Sequence, residues 1–211
     1  MLSLQKYTEQ ARLWPASGRH ILAQFDDQTI VVYQAYNREI GQHAIQKGHF
    51  GGDFNLERMS WIKPNFLWLM YRSGWGTKEN QEITLGLRLR REFFDSMLAA
   101  AVPSSWEPAV YPSEQEWSAA GSRASVRLQW DPDYDPAGTK LQRRAIQLGM
   151  RREVLEAFAQ KELVEVIDLS DFVAEQRTRI SARGWGTLQT PTERLYRPAD
   201  AAIVSRLRLG R

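Results

Sequence analysis

The stretch PNFLWLMYRSGWGT, residues 64–77, gives the clearest indication of how this chain folds. From Phe66 to Tyr71 nearly every residue is apolar, so a helix formed here has no polar side. A helix without a polar face is normally buried, and proline is favoured in the first turn of a helix. Gly74 then provides a residue that readily adopts the left-handed conformation in which many helices end. We therefore predict a buried, aromatic-rich helix that begins at Pro64 and ends before Gly74.

Strand and helix patterns alternate on both sides of this helix. Two apolar runs flank Asp26–Asp27, which predicts a strand, a tight turn and a second strand. The helix that follows is expected to begin after Asn37 and to end at Gly48, since these residues are typical caps. Residues 83–90 alternate between apolar and polar side chains, as in a strand that is buried on one face. This mixed order predicts an α+β fold: a single domain with a mixed or antiparallel sheet and one buried aromatic-rich helix.

The rest of the chain gives weaker patterns. Residues 103–122 are rich in Ser, Pro, Glu and Gly, which predicts a long surface loop. Ser170 is expected to cap a helix, and the segment containing Pro191 and Pro198 is expected to be irregular and packed on the domain. We divide the chain into an N-terminal helix or extension, a single domain and a C-terminal tail, over residues 1–16, 17–197 and 198–211.

The composition excludes several classes of protein. Of the 211 residues, 43% are apolar and 25% are charged, proportions that are typical of globular domains. The chain contains no cysteine, so disulfides, zinc–thiolate sites and a cysteine nucleophile are excluded. No stretch has the length of a membrane span, and the amino terminus lacks the apolar core of a signal peptide, so we expect a cytoplasmic protein without membrane contact.

The charge and the tryptophan content indicate which partners to consider. The net charge of +3 permits contact with phosphate groups or an acidic partner but does not require it. The eight tryptophans indicate a groove as well as a core, because Trp is rarely buried completely and its indole N–H usually keeps a partner. His20, His43 and His49 have no recognised metal-ligand spacing, so we expect no metal site.

Arg72 is the main candidate for ligand binding. At the carboxyl end of the buried helix it would be held rigidly near Trp68, Tyr71 and Trp75. Its planar guanidinium suits bidentate contact with a phosphate or carboxylate and stacks well on aromatic rings. This arrangement predicts an anion site within an aromatic pocket.

Lys63 would supply a second cation at the opposite end of the same helix, so both cations reach one ligand only if that ligand is extended. The alternative is a structural role, in which Arg72 pairs with an internal acid such as Asp53 or Glu82. Glu82 opens the strand over residues 83–90 and is otherwise a candidate general base or acceptor for a ribose hydroxyl. Where Arg72 points decides between these alternatives.

The strand-to-helix junction in VVYQAYNREIGQHAIQKGHF is the second candidate site. Tyr33, Gln34 and Tyr36 come just before the helix, and polar side chains at such a turn lie over a helix amino terminus, which attracts anions. The alternative is that both tyrosines belong to the core and Gln34 to the surface. Gln129 and Gln147, in RLQWDP and AIQLGM, are candidates for further amide contacts.

Four segments carry a resemblance to a known family: VYQAYNREIGQHA, MSWIKPNFLWLMYRSGW, VRLQWDPDYD and RAIQLGM. In these segments the chain resembles the bacterial and fungal family catalogued as domain of unknown function 4291, over about residues 17–197. That resemblance implies no particular activity.

The segment VYQAYNREIGQHAIQKGHF is also similar in outline to the strand and helix that hold part of NAD in ADP-ribosyltransferases. Gln34 stands where that family usually has His or Arg. The later Ser/Tyr and Glu motifs of that family have loose counterparts in Arg72–Ser73 and Glu82. The resemblance implies NAD as a cofactor and transfer of a group from it.

Together these observations predict a small nucleotide-dependent transferase that binds a phosphate-bearing nucleotide, with NAD as the candidate cofactor, in an aromatic cleft containing arginine. The residues assigned to this site are Glu82, Arg72 and Ser73 for catalysis and Gln34, Tyr36, Lys63, Trp68, Tyr71 and Trp75 for cofactor binding. The first alternative is a non-catalytic module that binds RNA or single-stranded DNA. The second is a protein-interaction domain with an exposed aromatic patch.

Overall fold

The structure is a computed structural model that describes residues 2–210, with the backbone alone at residues 181–183. Met1 and Arg211, the outer ends of the predicted extension and tail, lie outside the described residues. The strands are β1 (Leu4–Lys6), β2 (Gly18–Arg19), β3 (Ile21–Ala23), β4 (Thr29–Tyr36), β5 (Ser60–Ile62), β6 (Ile83–Arg90), β7 (Val102–Pro103), β8 (Val126–Tyr134), β9 (Lys140–Met150), β10 (Leu163–Asp168), β11 (Gln189–Pro191) and β12 (Arg194–Tyr196). The α-helices are α1 (Tyr7–Gln10), α2 (Arg38–Lys47), α3 (Phe66–Ser73), α4 (Arg91–Ala100), α5 (Glu114–Arg123), α6 (Arg152–Gln160), α7 (Ser170–Arg183) and α8 (Ala201–Arg206), and α1 continues into a 3₁₀ turn over Ala11–Leu13.

The strands pair into sheets that mix parallel and antiparallel neighbours. One sheet has the order β10–β6–β4, and a larger one has the order β2–β9–β8–β7, with β5 also paired to β9. Two small sheets join β1 to β11 and β3 to β12. The β2–β9 and β7–β8 pairs are parallel, and the other ladders are antiparallel. The prediction of a single α+β domain with a mixed sheet is confirmed. None of the described helices is long and apolar enough to cross a membrane.

The three-stranded sheet is covered on both faces. Alternation along β4 sends Ile30 and Val32 into the main core, while Val31 and Tyr33 join a second cluster with α3 and α7. The prediction that β6 is buried on one face only is wrong, because Thr84 is also fully buried. Thr84 and Gly86 are small residues on that face, and Leu169, the residue before α7, packs closely against Gly86.

The predicted aromatic helix is α3, and its burial is confirmed from Phe66 to Met70, all of which are buried. Gly74 closes it in the left-handed conformation, with φ 59°. The start is later than predicted, because the side chain of Asn65 accepts a hydrogen bond from the Trp68 N–H at 2.7 Å and caps the helix. The last turn reaches the surface, where Tyr71 is 43% exposed.

A buried carboxyl group from a distant part of the chain holds the first turn of α3. Glu193 is 4% exposed and accepts a hydrogen bond from the Phe66 N–H at 2.6 Å. Burial raises the pKa of Glu193 well above its usual value. The backbone N–H of Glu193 in turn donates to Gln10 at 2.9 Å. Segments near both ends of the described chain therefore help to fix α3.

Helix α2 has the predicted caps. The Asn37 side chain accepts a hydrogen bond from the Ile40 N–H at 3.0 Å, and Gly48 ends the helix with φ 75°. By contrast, the predicted cap of α7 is wrong. Leu169 occupies the N-cap position, and Ser170 donates both its N–H and its hydroxyl to the Asp168 carboxylate.

Two regions are more regular than predicted. Within the supposed loop over residues 103–122, Ser113 caps helix α5 by accepting from the Glu116 N–H at 3.2 Å. The C-terminal segment contains β11, β12 and α8, and α8 packs Ile203 into the main core. The capping motif and the strand pairings supply local order that the polar composition of these segments conceals.

The two larger sheets meet at a backbone bridge between Tyr33 of β4 and Lys63, the residue after β5. The Tyr33 N–H donates to the Lys63 carbonyl at 2.7 Å, and the Lys63 N–H donates to the Tyr33 carbonyl at 3.3 Å. This bridge fixes the backbone of Lys63 where the two sheets join.

Candidate functional site

A cavity of about 790 Å³ lies beside the Tyr33–Lys63 bridge, where the two larger sheets and helices α2 and α3 come together. The lining residues come from β4, the start of α2, β5 and the segment leading into it, one side of α3, the segment before β6, and β8 and β9. They are Gln34, Ala35, Tyr36, Asn37, Ile40, Asp53, Phe54, Asn55, Arg58, Met59, Ser60, Trp61, Lys63, Trp68, Leu69, Arg72, Asn80, Gln81, Gln129 and Gln147.

Five of the nine predicted site residues line this cavity: Gln34, Tyr36, Lys63, Trp68 and Arg72. Trp68 and Arg72 are four residues apart on α3 and therefore lie on the same side of the helix. Gln34 and Tyr36 alternate along β4 and point the same way. The cavity thus joins the two candidate sites that were predicted separately.

The other four predicted residues do not line it. Ser73 is fully buried, and its hydroxyl accepts a hydrogen bond from the Gly76 N–H at 3.3 Å. Tyr71 and Trp75 line a second cavity of about 300 Å³, in which the Tyr71 ring stacks on Tyr134 with 3.5 Å between ring centroids.

Glu82 is exposed immediately before β6 and accepts a hydrogen bond from the Asn80 N–H at 2.9 Å. Of the three residues assigned to catalysis, only Arg72 lines the larger cavity.

Lys63 is the most unusual group in the cavity wall. It is only 6% exposed, yet its ammonium forms no ion pair or hydrogen bond with any side chain or backbone group that the structure describes. Its Nζ atom lies 4.7 Å from the centroid of the Trp68 ring. Burial, together with the positive charge of Arg72, lowers the pKa of Lys63 from 10.5 to about 8, against the opposing influence of Asp131. The site therefore contains a buried cation whose charge is incompletely compensated.

Two arginines add positive charge. Arg72 and Arg58 are exposed, and neither guanidinium is paired with a carboxylate in the described part of the chain. The pair that Arg72 could have formed with Asp53 or Glu82 is therefore not present among these residues. Arg72 faces the open cavity instead. Asp53 is the one carboxylate among the described residues that line the cavity.

The junction of β4 and α2 supplies a polar wall. Gln34 donates its amide N–H groups to Ser60 Oγ at 2.8 Å and to the Trp61 carbonyl at 2.9 Å. The Tyr36 hydroxyl shares a hydrogen bond of 2.9 Å with Ser60 Oγ, and burial raises the pKa of Tyr36. Asn37, the cap of α2, also lines the cavity, so the positive end of that helix dipole faces it.

Two more glutamines come from the larger sheet. Gln129 of β8 and Gln147 of β9 are directly opposite each other in the antiparallel ladder. Each donates its side-chain N–H to Asp131, at 2.8 Å and 2.7 Å respectively. One carboxylate therefore holds both amides in place.

Arg58, Ser60 and Trp61 are lining residues that the sequence did not single out. Ser60 and Trp61 belong to β5, which has only three residues and is too short to show an alternating pattern. Arg58 lies in the irregular segment before that strand. The available signal was the adjacency of a serine and a tryptophan to Lys63, which was already a candidate.

No group of three His, Asp or Glu side chains in the described residues is arranged to hold a metal ion. A comparison with curated proteins found no match to this chain. A family model with the description "Domain of unknown function (DUF4291)" matches residues 20–196, which is most of the sequence. The chain therefore belongs to the DUF4291 family.

Proposed function

We propose that the larger cavity binds a phosphate-bearing nucleotide. The observation that carries this proposal is the convergence of Arg58, Lys63 and Arg72 on one cavity, with no internal carboxylate paired to any of them in the described chain. Asp53 alone opposes them among the described lining residues. Buried and clustered positive charges are normally paired, so an anion from outside is the missing partner.

The charges of Lys63 and Arg72 act on each other, since Arg72 contributes to the lowered pKa of Lys63. A phosphate bound between them would relieve that repulsion and favour the charged form of Lys63. Arginine contributes a planar, bidentate contact and lysine a compact charge, a combination that suits phosphate.

The remaining features of the cavity fit the rest of a nucleotide. Its volume of about 790 Å³ falls within the usual range for sites that enclose small organic ligands. Trp61 and Trp68 offer aromatic surface for a base or nicotinamide ring, and the glutamines of the lining offer hydrogen bonds. NAD, which carries two phosphates and two rings, is the candidate that matches all of these features.

Transfer of a group from such a nucleotide would require a side chain close to the reacting carbon. Ser73 is enclosed by protein and Glu82 lies outside the lining, which leaves Arg72 as the assigned catalytic residue that could touch the ligand. The proposal is therefore binding by the cavity, with Arg72 and Lys63 on phosphate, and no transfer step is assigned to Glu82 or Ser73.

Isothermal titration with ATP, NAD and a short single-stranded RNA tests the proposal. ATP or NAD should bind the wild-type protein, and Arg72→Ala should weaken binding by about tenfold, as expected for loss of one charged hydrogen bond. Arg12→Ala is the matched control, because Arg12 is exposed outside the cavity and should leave the affinity unchanged.

Two outcomes would contradict this function. Absence of binding by both ATP and NAD, with wild-type protein that unfolds cooperatively, would refute it. Binding of RNA alone, with an affinity that falls steeply as salt is raised, would instead support the nucleic-acid-binding alternative.

A further inference from the structure

The orientations of three of the four glutamine amides in the cavity wall, those of Gln34, Gln129 and Gln147, are fixed by their partners. Gln129 and Gln147 both contact the Asp131 carboxylate, which accepts hydrogen bonds. Each must therefore turn its NH₂ group toward Asp131 and its carbonyl oxygen away from it. Those two oxygens accept no hydrogen bond from any described residue.

The orientation of the Gln34 amide is also fixed, by a different partner. Its NH₂ group donates to the Trp61 backbone carbonyl, which can only accept, and this contact settles which end of the amide is nitrogen. Its carbonyl oxygen, Oε1, is buried and has no hydrogen-bond partner. Gln34 is 3% exposed and this oxygen is enclosed by protein, so a ligand in the cavity does not reach it.

We infer that the carbonyl oxygens of Gln129 and Gln147 form an acceptor wall that recognises the N–H groups of the ligand's ring. The ligand class is a nucleotide whose base or second ring carries an amino or carboxamide group, as adenine and nicotinamide do. A ring with a carboxylate at that place would bring acceptors together and would be rejected, and a ring without the amino group would leave the wall without a donor. This inference rests on the proposed nucleotide-binding function and adds to it the identity of the ring.

The position of the wall suits this role. Gln129 and Gln147 line the same cavity as the cations Lys63 and Arg72, so one ligand can place phosphate on the cations and a ring on these two amides. The amides are held by protein contacts before any ligand binds. Recognition through fixed polar groups discriminates strongly, because the wrong ligand leaves those groups without partners.

Two pairs of ligands test the inference. ATP is compared with purine riboside triphosphate, in which a hydrogen atom replaces the adenine amino group and N1 stays unprotonated. NAD is compared with nicotinic acid adenine dinucleotide, in which a carboxylate replaces the carboxamide. In at least one pair the first member should bind the wild-type protein more tightly by about tenfold or more.

Gln147→Met removes one acceptor while keeping a side chain of similar length, and it should reduce the preference within that pair. Gln142→Met is the matched control on the same strand, because Gln142 is exposed and does not line the cavity. If Gln147→Met does not fold, Gln129→Met provides the same comparison from β8.

The outcomes separate the two proposals. If neither ATP nor NAD binds, the nucleotide function is refuted and the acceptor wall with it. If both members of each pair bind equally well, or if the preference survives in both methionine variants, nucleotide binding stands and the acceptor wall is refuted.

Discussion

Two buried cations in this protein, Lys63 and Arg143, have similar surroundings but differ in whether a carboxylate pairs with them. Lys63 and Arg143 are each 6% exposed, and each lies over a tryptophan ring, at 4.7 Å from Trp68 and 5.3 Å from Trp14. Arg143 is fully matched by protein: it binds Asp133 through Nε at 2.7 Å and through Nη2 at 2.6 Å.

Lys63 has no such carboxylate partner among the side chains that the structure describes. Burial of a charge is unfavourable unless the charge is paired, so the paired cation belongs to the architecture and the unpaired one marks a site for a ligand. Burial alone would not separate the two roles, whereas the presence or absence of an internal carboxylate does.

Removal of the paired cation, Arg143, should have the largest effect on the free energy of unfolding. Arg143→Met leaves Asp133, which is 1% exposed, as an uncompensated buried acid and should lower the free energy of unfolding by about 3–5 kcal/mol. Burial already raises the pKa of Asp133, and Arg143 opposes that effect. The variant should therefore lose less stability in mildly acidic solution, where Asp133 is protonated. Urea denaturation at several pH values measures this.

The double variant Arg143→Met with Asp133→Leu is the control, and it should recover much of the lost stability because no buried charge remains. If Arg143→Met alone left the free energy of unfolding unchanged, the structural role assigned to the Arg143–Asp133 pair would be wrong.

Removal of the unpaired cation, Lys63, should change the free energy of unfolding by less, and in the opposite direction. The fall in the pKa of Lys63 from 10.5 to about 8 corresponds to about 3 kcal/mol of unfavourable burial of the charged form at neutral pH. Lys63→Met should therefore raise the free energy of unfolding at pH 7 by up to about that amount while abolishing nucleotide binding. Lys140→Met is the control at an exposed position, and it should change neither the free energy of unfolding nor the nucleotide affinity.

The pH dependence gives a sharper test of Lys63. Between pH 8 and pH 10.5 the unfolded chain binds more protons at this residue than the folded protein does, so wild-type stability rises with pH relative to the variant. The advantage of Lys63→Met should be complete below pH 8 and should disappear as the pH approaches 10.5. A variant that is less stable than wild type at pH 7 would show that the ammonium is well compensated inside the protein.

The smallest effect is expected at Glu82, which is exposed and already accepts a hydrogen bond from the Asn80 N–H. Glu82→Gln can keep that hydrogen bond and should change the free energy of unfolding by less than about 0.5 kcal/mol. ATP affinity should stay within the error of the titration, because Glu82 does not line the cavity. A marked loss of affinity would mean that the site extends beyond the lining described above.

Elements with strong local patterns were predictable from the sequence. The buried helix α3 and the capped helix α2 depend on apolar runs and on Asn and Gly caps within a few residues. Helix α5 was missed, although Ser113 and Glu116 have the spacing of a capping box, because the surrounding Ser, Pro and Glu favour a loop. Strands β11 and β12 could not be predicted, since each has three residues and is defined by pairing with distant β1 and β3.

The candidate site was predictable only where it depends on residues that are close together in the sequence. Helix geometry puts Trp68 and Arg72 on one side of α3, and it turns the neighbouring Tyr71 by about 100° toward the second cavity. The sequence pattern supplied all three residues but did not show which side faces the site. Gln129 and Gln147 meet through the register of β8 and β9, a pairing that depends on the whole sheet.

The backbone bridge between Tyr33 and Lys63 has a consequence for the entropy of binding. Two hydrogen bonds and the following Pro64 fix the main chain at Lys63, and its side chain is enclosed against Trp68. A lysine side chain on an exposed loop must give up much of its rotamer freedom when it grips a ligand. Lys63 lost that freedom when the protein folded, so a ligand that reaches it meets a cation that is already in place.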